Sequence, residues 1–491
     1  MAQDTGTVTQ AGGYKRIVYV ISMVAALGGL LFGLDQGFIA NSLATLTEHY
    51  KFGVQGGESY SAILATGGIV GALLSGIFAR FLGRKKSLVL AGFIFTAASG
   101  YSALLPPLAI LSACRFALGF AVGIASFVVP LYLSETAPAK IRGSMGTLFQ
   151  LMITIGIFLI ALSNVFIARA FTTPATSLPL MFLTVTLFAA LMFAGAFMLP
   201  ESPRWLMLKG RKERAIAVLR KTLNTQQEID TEIGEIEEAL HGPKGAGVGI
   251  VFRGYFFRVL VVGVLLQMFQ QLVGINMMIY YSPTIFGYAG MTGLVAMMTV
   301  PTVNMLFTFP AIRLVEKWGR KKLLYVGAVS MLITMLAAGL AFQSIGDASD
   351  PAAIGGLPKA VLLVSVIVYI FGFAVSWGPV VWLVCSEVFP LEGREVGMTI
   401  TTMVNWTFAG LVMANALSFM GVYGNASIFY VFAGFCALAI AFVALFVPET
   451  KGITLEEMEI NLKNGVRLRD LGNRTLVPGQ ASVAGAPQKG A

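Results

Sequence analysis

Gly83-Arg84-Lys85-Lys86 (GRKK, residues 83–86) recurs as GRKK at residues 319–322, 236 positions later. Each copy lies in a basic loop between two long apolar segments. Three further echoes keep the same order: Ser134-Glu135 with Ser386-Glu387 and Arg142 with Arg394, both 252 apart, and Pro200-Glu201 with Pro448-Glu449, 248 apart. Echoes at a nearly constant offset, each just past corresponding apolar segments, predict a duplicated structural unit.

The composition is that of an integral membrane protein. The 491 residues are 56% hydrophobic and only 12% charged, with a mean hydropathy of +0.79. A soluble domain is nearer half apolar and a quarter charged. The net charge is +10 and the pI about 9.5, which in a soluble protein would suggest a nucleic-acid partner.

Twelve apolar segments follow one another, each about the length that a helix needs to cross a bilayer. They lie at 17–41, 58–79, 87–106, 109–134, 143–166, 178–199, 257–289, 294–315, 321–343, 360–387, 395–419 and 427–447. With the repeat, they predict an all-α membrane protein of twelve transmembrane helices in two pseudo-symmetric six-helix bundles. Secondary transporters are commonly built in this way.

The polar segments complete the predicted domain organisation. The two bundles are expected at 15–199 and 257–450, after a disordered cytoplasmic N-terminus at 1–14. Mixed charge at 200–256 predicts a cytoplasmic linker with short amphipathic helices. A cytoplasmic tail is expected at 451–491, disordered from Arg467 onward because it is rich in Gly, Pro and Ala.

The distribution of Lys and Arg predicts the orientation. With both termini in the cytoplasm, only Lys51, Arg169 and Lys359 fall on the outer side and Arg115 lies within a span, which leaves 30 of the 34 basic residues inside. This bias predicts a multi-pass protein of the plasma (inner) membrane with both termini cytoplasmic. It also accounts for the high pI without a nucleic-acid partner.

A run of uncharged polar side chains, QMFQQLVGINMMIYYSP at 267–283, interrupts the seventh apolar segment. Its amides supply paired donors and acceptors, which would be costly facing lipid. At helical spacing Gln267, Gln270, Gln271 and Tyr281 can share one stripe. Such a stripe suits a wet cavity that binds a neutral polyhydroxylated ligand, although polar groups also join membrane helices to one another.

Two charges lie deep within the spans. Asp35 and Arg115 each fall about six residues, roughly 9 Å, from the outer ends of their segments. Matched depth permits pairing, and an unpaired intramembrane charge is costly. A carboxylate whose ionisation depends on an arginine and on water access can bind and release a proton. The alternative is a static structural ion pair.

At this point the motifs indicate a family. The chain resembles the sugar porters of the major facilitator superfamily over about residues 15 to 465, and within them the bacterial galactose and arabinose proton symporters. The motifs are GGLLFGLDQG (28–37), RFALGFAVG (115–123), PLYLSETAPAKIRG (130–143), QLMITIGI (150–157), PESPRW (200–205), VLLQMFQQ (264–271), QQLVGIN (270–276), EKWGRK (316–321), SWGPVVWLVCSEVFP (376–390), NW (405–406) and PETKG (448–452).

The resemblance implies a sugar site and a proton-coupling acid. The residues that match sugar-binding positions of the family are Gln150, Gln270, Gln271, Asn276, Asn304, Trp382 and Asn405. Proton-coupled members carry an aspartate at the place of Asp35. An indole such as that of Trp382 can stack on the apolar face of a pyranose, and packing alone is the alternative.

A second set of residues is predicted to gate the cycle of alternating access that the family implies. Its members are Tyr280, Tyr281, Gly378, Pro379, Glu135, Arg142, Glu316, Arg320, Glu387 and Arg394. The tyrosines are expected to form an outer gate, and Gly378-Pro379 to break the tenth helix. The charged residues are expected to pair between the halves when the inner side is closed; ordinary interfacial solvation is the alternative. Arg80 stands where the family has an acid, which predicts that the second-half network around Glu316 matters more.

The sequence therefore predicts a proton-coupled monosaccharide symporter, with a hexose such as galactose or glucose as substrate. A facilitative uniporter, a pentose symporter and a non-transporting sugar sensor are the alternatives. No Walker A loop, nucleophile elbow or metal cluster is present in the sequence, so neither an enzyme nor an ATP-driven pump is expected. The expected partners are the sugar, protons and membrane lipid, with no cofactor, no metal and a monomeric state.

Overall fold

A computed structural model describes residues 15–136, 142–241, 247–345, 355–390, 392–453 and 455–473. The chain divides into two compact units, residues 1–244 and 245–491. Within the described residues both units are helical and neither contains a strand. The predicted fold class is confirmed.

The first unit contains six long helices followed by three short ones. The long helices are α1 (Arg16–Tyr50), α2 (Val54–Phe81), α3 (Arg84–Ser102), α4 (Leu108–Thr136), α5 (Arg142–Ala170) and α6 (Pro174–Met198). Helix α1 packs closely along α5. Gly33 permits that approach, because a Cβ at this position would collide with the carbonyl oxygen of Ile153.

The linker after α6 is helical, as predicted. It forms α7 (Pro203–Leu208), α8 (Lys212–Thr222) and α9 (Gln226–His241). Ser202 begins α7 by accepting a hydrogen bond from the backbone N–H of Trp205. The three helices share a small apolar core that includes Trp205, Leu219 and Ile233.

The second unit begins with a 3-10 helix, Gly247–Phe252, and repeats the plan with two of its helices broken. Its helices are α10 (Gly254–Leu272), α11 (Ile275–Tyr288), α12 (Leu294–Trp318), α13 (Arg320–Ile345), α14 (Gly356–Val375), α15 (Trp377–Val388), α16 (Arg394–Tyr423), α17 (Ser427–Phe446) and α18 (Leu455–Lys463). A short 3-10 turn, Leu468–Asp470, follows α18.

Each of the twelve predicted segments coincides with a helix or a broken helix pair. Among the described residues, eleven of these are long and apolar enough to cross a bilayer. The remaining segment, 87–106, corresponds to α3, which has only 19 residues and begins with Arg84, Lys85 and Lys86. Those three basic residues lower its mean hydropathy.

Two of the predicted spans in the second unit are broken. The segment 257–289 was predicted as one span, but it separates at Val273–Gly274, where Gly274 adopts a left-handed conformation with φ of 100°. Glycine takes this conformation at little cost. The break predicted at Gly378-Pro379 falls two residues earlier, at Ser376, because proline is tolerated in the first turn of the new helix α15.

The tail is ordered further than the sequence predicted. Asn461 is buried in α18, and its amide nitrogen donates to the carbonyl oxygens of Leu471 at 3.0 Å and Asn473 at 2.9 Å. The predicted disorder from Arg467 onward is therefore wrong for residues 467–473, because this side chain holds their backbone. Residues 474–491 and the predicted disordered N-terminus, 1–14, lie outside the described residues.

Candidate functional site

The second unit gathers amide side chains from α10 and α16 at the broken end of α14–α15. Asn405 of α16 donates from Nδ2 to Gln267 Oε1 at 2.6 Å and to Gln270 Oε1 at 2.7 Å. Gln270 in turn donates from Nε2 to the carbonyl oxygens of Trp377 at 2.8 Å and Gly378 at 3.3 Å. Both carbonyls belong to the first turn of α15, and a carbonyl oxygen has two lone pairs, so each can accept this side-chain bond in addition to one within the helix.

A second amide pair spans the other helix break. Asn276, in the first turn of α11, donates from Nδ2 to Gln271 Oε1 at 2.6 Å. Nε2 of Gln271 donates to no residue in the described part of the chain, so this donor remains available. Tyr281 ties α11 to α16 by donating to the carbonyl oxygen of Met413 at 2.6 Å, and its neighbour Tyr280 is 1% exposed.

Asn304 lies in α12 between two prolines, Pro301 and Pro310. It is 1% exposed, and its Oδ1 accepts no hydrogen bond from the described residues. A buried acceptor without a partner is costly, which makes Asn304 a candidate for a bond from a ligand.

Trp382 and Gln150 are the two remaining predicted sugar contacts. Trp382 of α15 is only partly buried. Gln150 belongs to the first unit, in α5, and is 8% exposed. The structure brings Gln270 and Asn405 together in one hydrogen-bonded group, and Gln271 and Asn276 in another.

Asp35 and Arg115 form a buried ion pair between α1 and α4 of the first unit. Nη1 of Arg115 donates to Asp35 Oδ1, and the two side chains are 1% and 2% exposed. The guanidinium also lies over the ring of Tyr60, 5.5 Å from its centroid. Oδ2 of Asp35 accepts no hydrogen bond within the described chain. Arg115 therefore binds one carboxylate oxygen of Asp35, and the other oxygen lies buried beside the pair.

The first GRKK sequence starts α3 and is bound by two carboxylates of its own unit. Glu201 Oε1 accepts from the backbone N–H groups of Arg84 at 2.8 Å and Lys85 at 3.1 Å, which caps the helix. The Arg84 guanidinium donates to Glu135 through Nε at 2.8 Å and Nη2 at 2.7 Å. Ser202 adds a hydroxyl bond to the same carboxylate.

The second GRKK sequence repeats this arrangement at the start of α13. Glu449 accepts from the backbone N–H groups of Arg320 and Lys321, and Thr450 takes the place of Ser202. Arg320 donates to Glu387 at 2.9 and 3.3 Å. This pair is more exposed, at 11% and 20%, than Arg84–Glu135 at 4% and 3%.

The described charge pairs therefore form inside each unit, and the first-half pair is the more buried of the two. That the second-half network around Glu316 matters more for gating stays a prediction. Glu316 is exposed, and Arg394 starts α16 with its guanidinium at the end of α15, 3.5 Å from the Phe389 carbonyl oxygen. Arg142 begins α5, but its side chain lies outside the described part of the structure. A gating role for these residues stays a prediction.

Comparison with known proteins places this arrangement in a family. The model of the family described as "Sugar (and other) transporter" matches residues 21–462. The chain belongs to the sugar porters of the major facilitator superfamily. It is similar to the galactose-proton symporter of Escherichia coli K12, with 39% identity over 93% of this chain and 97% of that one. The arabinose-proton symporter of the same strain is 36% identical, over 93% and 96%.

A solved structure agrees with these relatives. The proton:xylose symporter bound to 6-bromo-6-deoxy-D-glucose superposes with a TM-score of 0.78 and 32% identity, covering 90% of this chain and 98% of that one. The protein is thus a multi-pass membrane transporter and not an enzyme.

Three buried residues of this sugar porter were not among the predicted site residues. Gln267 joins the amide cluster through Asn405, which the helical stripe indicated without predicting the partner. Trp377 is fully buried and donates from Nε1 to the Leu324 carbonyl oxygen at 2.9 Å, so it anchors the start of α15. Glu58 is 1% exposed near the start of α2, although it falls at the edge of a predicted segment.

Proposed function

We propose that this sugar porter carries a monosaccharide into the cell together with a proton, by alternating access, across the inner membrane with both termini cytoplasmic. The observation that supports coupling is the buried Asp35–Arg115 pair. Arg115 stabilises the carboxylate form of Asp35. A proton added at Oδ2 neutralises that charge and weakens the pair, so protonation can change the packing of α1 on α4.

The amide clusters supply the proposed sugar contacts. Gln270, Gln271, Asn276, Asn304 and Asn405 are nearly buried and carry no charge, which suits a neutral ligand rich in hydroxyl groups. The resemblance to the family also assigns sugar contacts to Gln150 and Trp382. A hexose, galactose or glucose, is the first candidate, because the galactose-proton symporter is the more similar of the two relatives described.

A pentose is the second candidate. The arabinose-proton symporter and the proton:xylose symporter are also similar to this chain over nine-tenths of its length. Hexoses and pentoses differ by one hydroxymethyl group, which a pocket discriminates by shape, typically by 1–3 kcal/mol or about 10- to 200-fold.

The test uses the full-length protein in proteoliposomes with a pH indicator in the medium. Addition of galactose, glucose, xylose or arabinose outside is expected to make the external medium more alkaline as protons enter with the sugar. The sugar with the lowest half-saturating concentration identifies the substrate. Sugar entry with no pH change would establish a uniporter and contradict the proposal.

A further inference from the structure

The direction of every hydrogen bond in the main amide cluster is set by backbone carbonyls. Nε2 of Gln270 faces the carbonyl oxygens of Trp377 and Gly378. A carbonyl oxygen can only accept, so the nitrogen of the Gln270 amide must lie on this side. Its oxygen is therefore turned toward Asn405.

Asn405 consequently has a single possible orientation. Its Nδ2 lies between two amide oxygens, Gln270 Oε1 and Gln267 Oε1, and uses both of its hydrogens there. A flipped amide would place Oδ1 against two acceptors and leave all three oxygens without a proton between them. Oδ1 of Asn405 accepts no hydrogen bond from the described residues. It is also not fully covered by other atoms, so a ligand can reach it.

Gln267 is the second anchor of this orientation. It is fully buried, at 0% exposure, and its oxygen accepts from Asn405. Its nitrogen lies 3.9 Å from the sulfur of Cys385, whose own thiol lies 3.9 Å from the Gly263 carbonyl oxygen. The Gly263 carbonyl can only accept, so the Cys385 thiol donates to it and its sulfur is left as a weak acceptor for the nitrogen of Gln267. The orientation of Gln267 reached in this way is the same as the one that the Trp377 carbonyl imposes through Gln270 and Asn405.

We propose that Gln267 is a positioning residue for substrate specificity: together with Gln270 it holds Asn405 so that this amide meets the sugar only as a hydrogen-bond acceptor. The sugar hydroxyl opposite Asn405 must then act as a donor. This inference rests on the proposed sugar site. The inference adds that the site selects for a hydrogen-bond donor at the sugar position opposite Asn405, and that a sugar without a donor there binds weakly.

Fluorine provides the test, because a C–F group fills the place of a hydroxyl and cannot donate. Binding of galactose, or of glucose if it binds more tightly, is measured by calorimetry on the full-length protein, alongside each mono-deoxy and mono-deoxyfluoro analogue. Asn405→Ala identifies the position concerned, as the one where the deoxy penalty disappears. For the analogues changed at that position, wild type is expected to bind the fluoro and the deoxy form with about equal affinity. Both affinities should be roughly 3- to 10-fold lower than that for the parent sugar.

Two outcomes of this first measurement are distinct failures. If the fluoro analogue binds like the parent at that position while the deoxy analogue binds weakly, Asn405 presents a donor and the inference is overturned. If Asn405→Ala alters no analogue's penalty, Asn405 does not touch the sugar, and both the inference and this part of the proposed site are wrong. If no monosaccharide binds, the proposed function itself fails.

The role of Gln267 is tested by Gln267→Met, which keeps the length of the side chain and removes its hydrogen bonds. The ratio of the dissociation constants of the fluoro analogue and the parent at the Asn405 position is expected to fall by at least half, and further in Gln267→Met/Gln270→Met. General losses of affinity cancel in this ratio. Gln343→Met, at an exposed glutamine of α13 outside the proposed site, should leave it unchanged. An unaltered ratio in Gln267→Met would show that Gln267 only packs.

Discussion

Asn304 shows at the scale of one residue how a proposed binding side chain differs from a structural one. Its Oδ1 is buried without a partner among the described residues, whereas the amide of Asn461, equally buried, donates to two backbone carbonyls. An unsatisfied buried acceptor costs about 1–3 kcal/mol, and a satisfied structural amide contributes stability instead.

The matched substitutions Asn304→Leu and Asn461→Leu should therefore act in opposite ways. Asn304→Leu removes a group without a partner, so the unfolding temperature of the sugar-free protein should hold or rise while sugar affinity falls roughly 2- to 10-fold. Asn461→Leu should lower the unfolding temperature and leave affinity alone. Thermal unfolding in detergent, with and without sugar, measures both. A less stable Asn304→Leu variant with normal affinity would assign this residue to the scaffold.

Residue types could be predicted from the sequence, but their bonding could not. The amides at 267–276 and the pairing of Asp35 with Arg115 followed from polarity and depth in apolar segments. The orientation of Asn405 depends on carbonyls of Trp377 and Gly378, more than 25 residues before it in the chain and on another helix. No local pattern carries that information, since an amide can face its neighbours in either direction.

At the scale of elements, the break between α10 and α11 places Gln271 and Asn276 on either side of one turn. Gly274 makes the turn with φ of 100°, and a Cβ there would lie 2.7 Å from the ring of Phe432. Gly287, in α11 itself, has helical φ and nothing within 4 Å of an added Cβ.

Gly274→Ala should consequently cost about 1–3 kcal/mol of stability and weaken sugar binding, through strain in the left-handed conformation and displacement of the two amides. Gly287→Ala is the control and should be neutral or slightly stabilising, since alanine favours a helix by about 1 kcal/mol over glycine. Chemical unfolding in detergent measures the stability of both variants, and a sugar titration measures their affinity. Equal stability of the two variants would mean that the break is not held by Gly274.

The repeated charge clusters differ in burial, which predicts unequal responses to the same change. Glu135→Gln removes the carboxylate that binds the buried Arg84, at a cost of about 3–5 kcal/mol. Glu387→Gln alters a more exposed pair and should cost up to about 1 kcal/mol. If the clusters also gate transport, Glu387→Gln should shift the distances between spectroscopic labels on the ends of α4 and α15 that are proposed to face the cytoplasm. A lower unfolding temperature for Glu387→Gln than for Glu135→Gln would contradict the burial argument. Unchanged distances between the labels would contradict the gate.

Element boundaries depended on features that apolar length does not reveal. The twelve segments were recognisable because a bilayer demands about 20 apolar residues. The break at Gly274 was hidden because glycine is common in membrane helices, and only its φ distinguishes it. Order at 467–473 arises from Asn461, a side chain in a preceding helix, against a composition typical of disorder.

At the scale of the molecule, the duplication gives two units with the same cap at GRKK and different polar interiors. The first unit buries an ion pair, Asp35–Arg115, and the second buries neutral amides around Gln270 and Asn405. The proposed division of labour is proton binding by the former and most of the sugar binding by the latter. Coupling is then a property of the whole chain, because each ligand must bias the state that the other prefers.

The most direct test of this account compares Asp35→Asn with wild type in proteoliposomes that carry a pH gradient, acid outside. Wild type should accumulate the sugar above its external concentration and make the medium more alkaline. Asp35→Asn should lose both responses, since asparagine cannot take up a proton, while still exchanging labelled for unlabelled sugar at equilibrium. Asp230→Asn, an exposed acid in α9, should behave as wild type. Accumulation of sugar against its gradient by Asp35→Asn would contradict the account.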